Sequence, residues 1–506
     1  MSGRGRKDQI WRATLLLACL AAASMAVVAP AVAKRSAAAK TAAAGLLDKS
    51  FGKSGKTAIA FPAENGGNVG IKYALPFEFT PGHLEMAQTP GGDIVVAGAT
   101  KIVRFRANGK PDPGFGSGGS ITVPRPPGSV FILAGVAVDS YGRIVLAGLA
   151  RPLPTNSLPD PVLSQAVLMR FNADGTADAS FGSGGTLVTD FGLGAPKTAG
   201  GRYSGASVGI RDVVIDSQNR PVLTGAYVDA LLDCSSTVNS KGFVARLTEA
   251  GALDGTFGEG GLRTLSTIVS LGELAQRAGG YLALSASGPI CQGTGGPDNL
   301  IGFDENGNLD SSFASFGFRT LHASEAPALT VAPSGKILLL GRPEQRRIYK
   351  KVKEVVDGKK VTTRVRVSVR VQTVQRLLAS GAADPSFSRI GQTSYLDPAI
   401  GTLSAIAVDK QERIYLAGRV GQRVSKSPRN TLIRTTFLLE RTTAGGGYDH
   451  SFGKKGLVAT GFGGPTSSFA TQVMLDAKGR ALVGGGITSP QMETGGGYAI
   501  ARYLTK

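Results

Sequence analysis

Few residues of this 506-residue chain have the types and spacing that acid–base, nucleophilic or metal chemistry requires. The three histidines, His83, His322 and His450, lie far apart, and none belongs to a His-x-His or Glu-x-x-His pair of the kind that binds metal ions. No nucleophile elbow, phosphate loop or paired carboxylate stands out against the repeats described below. We therefore expect a non-enzymatic protein without a cofactor, metal or catalytic residue.

A second set of polar residues recurs regularly, in the pattern Gly-x-x-Asp-x-x-Phe-x-x-x-Gly. This motif occurs seven times between Gly45 and Gly456, and its four fixed positions are kept in every copy. A Gly-rich composition does not produce such regularity by chance, so the motif predicts a repeat architecture. Its aspartate and phenylalanine positions are Asp48, Phe51, Asp112, Phe115, Asp178, Phe181, Asp254, Phe257, Asp310, Phe313, Asp384, Phe387, Asp449 and Phe452.

The motif residues favour a structural turn. An aspartate can accept backbone N–H groups two or three residues further on, the phenylalanine is a large apolar wedge, and glycine adopts positive φ. The alternative is a set of metal ligands, since residues 304–308 (Asp-Glu-Asn-Gly-Asn) look like a calcium loop. An EF-hand loop has its glycine at position six, whereas Gly307 is at position four, so we predict a turn. In copies five and six, Ala314 and Ser388 replace the glycine after the phenylalanine, and we expect local distortion there.

The elements between motifs predict four antiparallel strands per unit. A short strand follows each motif, then comes an apolar hairpin such as residues 136–148, and then a strand such as residues 167–171. Many glycines (71), few aromatics (7%) and 42% hydrophobic residues agree with a folded all-β protein. Four strands repeated radially form a propeller blade. We name the strands A to D from the axis outward, with the strand after each motif as A and the motif as the D-to-A crossing. The prediction is an all-β, seven-bladed β-propeller over residues 45–506, whose N-terminal motif latches the last blade to the first.

The motif residues also resemble a known family. Residues 251–261, which contain Gly251, Asp254, Phe257 and Gly261, are similar to the delta-60 repeat of exported bacterial β-propeller proteins. The resemblance covers residues 45–506 and implies a propeller fold, but it implies no general biochemical activity.

The N-terminus is typical of an export signal. Basic residues such as Arg4 and Arg12 precede the apolar run 13–29, and Ala31-Val32-Ala33 has the small-x-small pattern of a cleavage site. We expect a signal peptide over residues 1–33, an Ala/Lys linker over 34–44, and a secreted, periplasmic or cell-surface protein without a later transmembrane span. Retention as an N-terminal anchor and lipidation at Cys19 are the alternatives. After cleavage Cys234 and Cys291 remain, and they predict one disulfide, with two separate thiols as the alternative.

Positive charge is concentrated in two neighbouring segments. The chain has a net charge of +20, and residues 342–375 contain eleven basic and three acidic residues. Alternating valine and arginine over 361–371, after the turn signal Asp357-Gly358, predicts a long basic hairpin inserted at about 342–370. Arg419, Arg423, Lys426, Arg429 and Arg434 add charge in the next unit. The candidate anion-binding residues are Lys350, Lys351, Lys353, Lys359, Lys360, Arg364, Arg366, Arg370, Arg419 and Arg423.

These features favour a monomeric binding or scaffold module. All long, irregular segments join A to B or C to D, so they leave one face of the propeller, and we place the binding face there. The expected partner is an anionic cell-envelope polymer or an extracellular protein; nucleic acid is not expected, because Tyr349 is the only ring in the hairpin. Neutral loop drift and a solubilising basic edge are the alternatives for these segments. A passive envelope protein, or a hydrolase or lyase using the central channel, are the alternatives for the whole chain.

Overall fold

All regular structure in the described part of the chain is β-strand. The computed structural model describes residues 44–60, 84–153, 164–193, 197–199, 202–230, 239–266, 268, 270–287, 296–321, 328–356, 359–388, 392–396, 401–423, 433–488 and 497–506. Within these ranges, no helix is long and apolar enough to cross a membrane.

The strands form seven antiparallel sheets arranged in a ring, which is a seven-bladed β-propeller. Blades 1 to 3 contain β2 (Glu85–Gln88), β3 (Ile94–Ala97), β4 (Lys101–Phe105) and β5 (Ser120–Thr122); β6 (Ser129–Val138), β7 (Ile144–Pro152), β8 (Gln165–Phe171) and β9 (Thr186–Thr189); and β11 (Arg202–Ile215), β12 (Pro221–Ala230), β13 (Asn239–Arg246) and β14 (Leu262–Leu265), with β10 (Lys197–Ala199) added beside β11. Blades 4 and 5 contain β15 (Ser270–Arg277), β16 (Gly280–Ser287), β17 (Gly296–Asp304) and β18 (Phe318–Thr320); and β19 (Ala328–Val331), β20 (Ile337–Leu340), β21 (Glu344–Val356), β22 (Lys359–Leu377) and β23 (Gln392–Leu396). Blades 6 and 7 contain β24 (Thr402–Val408), β25 (Ile414–Arg423), β26 (Ile433–Thr442) and β27 (Leu457–Thr460); and β28 (Ser467–Leu475), β29 (Ala481–Thr488), β30 (Gly497–Tyr503) and β1 (Lys56–Ala60).

The position of the motif within the blade differs from the expectation. The strand after each motif pairs with the strand before it: Met169 of β8 pairs with Thr186 of β9, for example. That strand is therefore the outermost strand of the same blade, and the prediction that it begins the next blade was wrong. The motif connects the third strand to the fourth. The first strand of each blade is the innermost, because the first strands of neighbouring blades pack against one another around the ring.

The ring closes by combining the two ends of the described chain in one sheet. Strand β1 pairs with β30 from Lys56↔Ala501 to Ala60↔Gly497 and supplies the fourth strand of blade 7. The Gly45 N–H donates to the Leu504 carbonyl at 2.8 Å, and the Asp48 N–H donates to the Arg502 carbonyl at 2.8 Å. Closure pairs an edge of blade 7 that would otherwise be open to aggregation.

The hydrophobic core is a series of layers between neighbouring blades. Each cluster combines buried apolar residues from two adjacent blades; the layer between blades 7 and 1, for example, contains Leu482 and Ile500 together with Ile94 and Val96. The layers are the apolar interiors that a radial stack of two-faced sheets requires.

The motif forms the same turn in every blade. Each motif aspartate accepts the backbone N–H two residues further on, at 2.9–3.1 Å. Each motif phenylalanine is fully buried, and several contact the first glycine of the following copy. At Gly109 (φ +78°), for example, a Cβ would lie 2.7 Å from the Phe51 ring, so glycine is required there. The phenylalanine is thus a wedge between blades, although the chain itself does not cross between blades at that point.

The expected distortion does not occur at Ala314, and Ser388 keeps the backbone φ of the repeat, although residues 389–391 of its copy lie outside the described residues. Ala314 and Ser388 have φ of +47° and +58°, and the glycines at the same position in other copies, such as Gly182 (φ +57°), have nearly the same value. The Ala314 N–H keeps the bond to the next blade, donating to the Ser380 carbonyl at 2.8 Å as Gly182 does to Ala250 at 2.9 Å. Copy five therefore retains the repeat geometry, and both residues adopt the left-handed conformation that costs an L-residue about 1 kcal/mol.

An arginine that sequence reasoning missed completes the motif. In six blades it lies on the third strand. In five of them it precedes the motif aspartate by eight residues, as Arg170 precedes Asp178, and in blade 7 Arg502 forms the same pair with Asp48 across the ring closure. Arg170 Nε donates to Asp178 at 2.7 Å, its guanidinium stacks on Phe181 at 4.7 Å, and it bonds the Glu249 carbonyl of the next blade. Each arginine therefore joins two neighbouring blades.

Blade 4 replaces this arginine. Gly302 occupies the position eight residues before Asp310, and Arg277 at the end of β15 pairs with Asp310 and stacks on Phe313 at 5.3 Å instead. The carboxylate and ring are thus matched with a guanidinium in all seven blades.

The environment of these carboxyls favours their ionised form. At Asp178, burial acts to raise the pKa, but hydrogen bonds from Ser180 and the charge of Arg170 outweigh it, so the pKa lies below its ordinary value. The pKa is lowered in the same way at the other motif aspartates, Asp48, Asp112, Asp254, Asp310, Asp384 and Asp449. The motif aspartates therefore act as structural anions.

The two faces of the propeller carry different connections. The motif turns and the short turns between first and second strands, such as Asp139–Arg143, leave one face, called here the turn face. The connections between second and third strands, and those from one blade to the next, leave the opposite face, called here the loop face. The strand after each motif belongs to the preceding blade and not to the next one, but this correction does not change which connections share a face. Antiparallel strands alternate in direction, so every second connection leaves the same face.

Candidate binding surface

The basic segment of blade 5 forms a long two-stranded ribbon on the loop face. Strands β21 and β22 pair at thirteen positions, from Glu344↔Val371 to Val356↔Lys359. At about 3.3 Å per residue the ribbon is roughly 43 Å long. The inner end of β22 is the third strand of blade 5, paired with β20 and β23, so the ribbon (residues 344–356 and 359–371) extends directly from the blade.

The root of the ribbon is fixed to the next blade. Gln372 is 6% exposed; its side-chain amide donates to the Leu403 carbonyl of β24 at 2.6 Å and accepts the Leu403 N–H at 2.9 Å. Val371 and Val374 beside it are buried. An isolated two-stranded hairpin is only marginally stable, so this anchorage is what holds the ribbon to the rigid scaffold.

One face of the ribbon is cationic. Side chains at paired positions share a face, and the register places Lys351 opposite Arg364 and Tyr349 opposite Arg366, with Arg347 in the next row. All five side chains are exposed, Tyr349 to 68%. None of the side chains that the structure describes on this face is acidic.

The opposite face of the ribbon is rich in valine. Val365, Val367 and Val369 are half-buried, and Val361 nearer the tip is 42% exposed. The row continues into the buried Val371 at the root. Glu344 and Arg346 form an ion pair on this face beside the blade. The valines of β22 therefore share one face, as alternation at a period of two dictates, while Arg346 of β21 is an exposed cation on that face.

The other predicted cations are only partly described. Lys350, Lys353, Lys359, Lys360 and Arg370 belong to β21 and β22, but their side chains lie outside the described residues. Arg419 is exposed on β25 of blade 6, and Arg423 ends that strand. Lys426 and Arg429 lie outside the described residues, as do Cys234 and Cys291 of the predicted disulfide. The structure thus brings Lys351, Arg364 and Arg366 together and adds Arg347, which sequence reasoning did not select.

Three carboxylates that sequence reasoning missed lie on first strands near the axis. Glu85, Asp212 and Glu273 occupy equivalent positions of β2, β11 and β15, and Gln472 takes that place in β28. Asp212 accepts the Leu274 N–H of the next blade at 2.8 Å, Glu273 accepts the Leu329 N–H of the blade after it, and Gln472 donates to Glu85. These side chains therefore link successive first strands. In the sequence, these residues have in common only their distance from the turn that follows the first strand. That signal could be used only once the first strand of each blade was correctly assigned.

The negative charges of Asp212 and Glu85 act on the carboxyl group of Glu273. Burial raises the pKa of Glu273 well above its ordinary value, and the charges of Asp212 and Glu85 raise it further, against the Leu329 hydrogen bond. A carboxyl of this kind holds its proton closer to neutral pH than an exposed glutamate.

The described residues give no support to metal or nucleophilic chemistry. They contain no cluster of three His, Cys, Asp or Glu side chains able to hold a metal ion. His83 and His322 lie outside the described residues, and His450 lies in a motif of the turn face. The pattern Gly205-x-Ser207-x-Gly209 lies inside β11, without the sharp strand-to-helix turn that exposes a nucleophilic serine.

The fold and the repeats define this chain as a β-propeller protein. A family model described as "Domain of unknown function (DUF5122) beta-propeller" matches residues 90–115 and 163–181, which end in the Phe115 and Phe181 copies of the motif. No curated protein matches the sequence.

Solved structures with a similar course of the chain have low sequence identity. The polysaccharide lyase Uly1 is 10% identical, with 89% of this chain and 99% of that chain covered at a TM-score of 0.46. A protein of unknown function from Dyadobacter fermentans DSM 18053 is 11% identical, with 82% and 100% covered at a TM-score of 0.40. Neither likeness carries an argument about activity.

Proposed function

We propose that this chain is an exported propeller of the delta-60 repeat family that binds an anionic partner through the cationic face of the ribbon. The observation that carries the proposal is the group Arg347, Lys351, Arg364 and Arg366, exposed together on a face without a described acidic side chain. The signal-like segment over residues 1–33 supports export, and the seven motif copies support the family.

The scaffold supports a binding role for the ribbon. Its root is held by the hydrogen bonds between Gln372 and Leu403 of blade 6, so the charges are presented at a fixed place on the loop face. A dense group of cations raises the local concentration of an anionic partner and accelerates its association, and both effects weaken as salt increases. The partner is therefore an anionic polymer or surface of the cell envelope, or an acidic extracellular protein.

The test replaces the four cations of the ribbon together. Arg347→Ser, Lys351→Ser, Arg364→Ser and Arg366→Ser in one variant are expected to weaken binding to immobilised polyphosphate and to isolated cell-envelope fragments by at least about tenfold at low salt. The variant should also lose most of the salt dependence that the wild type shows.

A matched control removes the same charge from the turn face. Lys49, Lys110, Lys410 and Lys478 are exposed there, and their replacement by serine keeps the total charge equal to that of the ribbon variant. The control should bind as the wild type does. If both variants lose binding equally, net charge and not the ribbon attracts the partner, and the proposal fails.

A second candidate function is a hydrolase or lyase using the axial ring of carboxylates. The raised pKa of Glu273 beside the charges of Asp212 and Glu85 is the kind of pairing that general acid–base catalysis uses. The backbone hydrogen bonds of Asp212 and Glu273 give the same residues a structural role, and this favours the binding module. Incubation with acidic and neutral polysaccharides distinguishes the two: product formation by the wild type that is lost in Glu273→Gln would support the enzyme.

A further inference from the structure

We infer that the anionic partner is a lipid bilayer with anionic headgroups, on which the ribbon lies with its valine face towards the acyl chains. This inference rests on the proposed function and names the partner of the same surface. It is carried by the second face of the ribbon, which a soluble polyanion would leave without a role.

The two faces together have the chemistry of an interfacial segment. Val361, Val365, Val367 and Val369 form one aliphatic row on β22, while Arg347, Lys351, Arg364 and Arg366 occupy the other face of the ribbon. Arg346 of β21 remains on the valine face, where it is paired with Glu344 near the blade. An amphipathic helix with a cationic polar face lies in the plane of the membrane interface for the same reason: its apolar face enters the acyl boundary and its cations meet the headgroups. Arginine and lysine reach the headgroups by extending their long stems past the apolar layer.

The exposed tyrosine fits the same location. Tyr349 is 68% exposed and lies opposite Arg366 in the middle of the ribbon. Tyrosine has an apolar ring and a polar hydroxyl, and it is enriched where a membrane meets water. The valine row covers about 33 Å of β22 between Val361 and Val371 at 3.3 Å per residue, so the contact runs along most of the ribbon.

A second copy of the chain fits this face less well. Two strands are roughly 10 Å wide, so the valine face offers on the order of 330 Å², whereas a stable interface buries about 800 Å² per partner. Residues 342–375 carry eleven basic and three acidic residues, so two ribbons would repel each other. An anionic bilayer instead attracts the charge and takes up the apolar face.

The experiment separates the valine face from the cationic face. Val365→Thr, Val367→Thr and Val369→Thr in one variant keep the β-branched shape, and thus the strand propensity, while each replaces a methyl group with a hydroxyl. The protein, purified after export, is titrated with vesicles of phosphatidylcholine alone, with vesicles containing anionic phosphatidylglycerol, and with soluble polyphosphate.

The wild type is expected to bind the anionic vesicles and not the neutral ones. The threonine variant should lose at least about tenfold in affinity for the anionic vesicles and keep its affinity for polyphosphate. The four-cation variant should lose both, by up to about a thousandfold on the vesicles if each cation contributes fully.

Three results would overturn the inference. They are equal vesicle binding by the wild type and the threonine variant, binding of polyphosphate but not of anionic vesicles by the wild type, and a wild-type dimer in sedimentation that the threonine variant loses. In the first two cases the proposed function survives as long as the four-cation variant fails to bind. Equal binding by the four-cation variant and the wild type would instead refute the proposed function itself.

Discussion

One buried carboxylate adds side-chain ion pairs to the strand pairing that closes the ring. Asp48 accepts hydrogen bonds from Arg502 at 2.9 Å and from Arg480 at 2.8 Å, both from blade 7, as well as from Ser50 beside it. The Arg502 side chain is 3% exposed. Replacement Asp48→Ala leaves this guanidinium buried without its anion, and removing one member of a buried ion pair typically costs about 3–5 kcal/mol.

The expected cost lies at the lower end of that range. Arg502 keeps its stacking on Phe51 at 4.6 Å and its bond to the Ala107 carbonyl, and Arg480 keeps its pair with Asp476 at 2.7 Å. We therefore expect Asp48→Ala to lower the free energy of unfolding by about 3 kcal/mol. Equilibrium unfolding in urea, monitored by far-ultraviolet circular dichroism, measures this change in free energy from the midpoint and slope of the transition.

A matched control is available in the turn just before another motif copy. Asp174 is an exposed turn carboxylate that accepts the Thr176 N–H at 2.9 Å and the Thr176 hydroxyl at 2.7 Å, so Asp174→Ala should cost about 0.5 kcal/mol. If Asp48→Ala costs no more than Asp174→Ala, the buried ion pair does not stabilise the ring closure, and the reasoning is refuted.

Three further predictions follow from the repeats. Because the pKa of each motif aspartate is lowered from 3.8, the unfolded chain binds protons before the folded one; stability should be complete above about pH 5 and fall as the pH is lowered through 3.8, and a urea midpoint unchanged between pH 6 and pH 3 would contradict this. Ala314→Gly and Ser388→Gly should each stabilise the protein by about 1 kcal/mol, because both residues have positive φ; a loss of stability in urea would count against the shared turn. Cys234 lies in the chain between β12 and β13 of blade 3, and Cys291 between β16 and β17 of the adjacent blade 4; peptide mapping without reductant should recover the two linked, and two free thiols would contradict the disulfide.

The fold could be predicted from sequence because the motif is short and keeps its four fixed positions in all seven copies. The motif, the apolar hairpins and the number of copies predicted the seven blades. The assignment of the strand after the motif to the next blade was wrong, because a repeating order of strands does not show where one blade ends and the next begins. Only strand pairing, such as Met169↔Thr186, shows which sheet contains that strand. The prediction of which connections share a face was not affected by this error, because moving one strand to the preceding blade does not change the face from which any connection leaves.

The candidate site was predictable where its pattern is local. Alternating valine and arginine over 361–371 already gave both faces of the ribbon. The interblade arginines were missed although five of them precede a motif aspartate by eight residues. Their role becomes visible only in contacts such as that of Arg170 with a carbonyl of the next blade. The axial group of Glu85, Asp212 and Glu273 comes from three distant blades, so no local pattern connects its members.

The most direct test of the central claim compares two exposed tyrosines on opposite faces. Tyr349 is 68% exposed on the ribbon, and Tyr141 is 66% exposed in a turn of the turn face. A photoreactive phenylalanine analogue at position 349 should crosslink to isolated cell-envelope material at low salt and lose this product at high salt, whereas the same analogue at position 141 should give none. Crosslinking from position 141 equal to or stronger than that from position 349 would contradict the assignment of the ribbon as the binding surface.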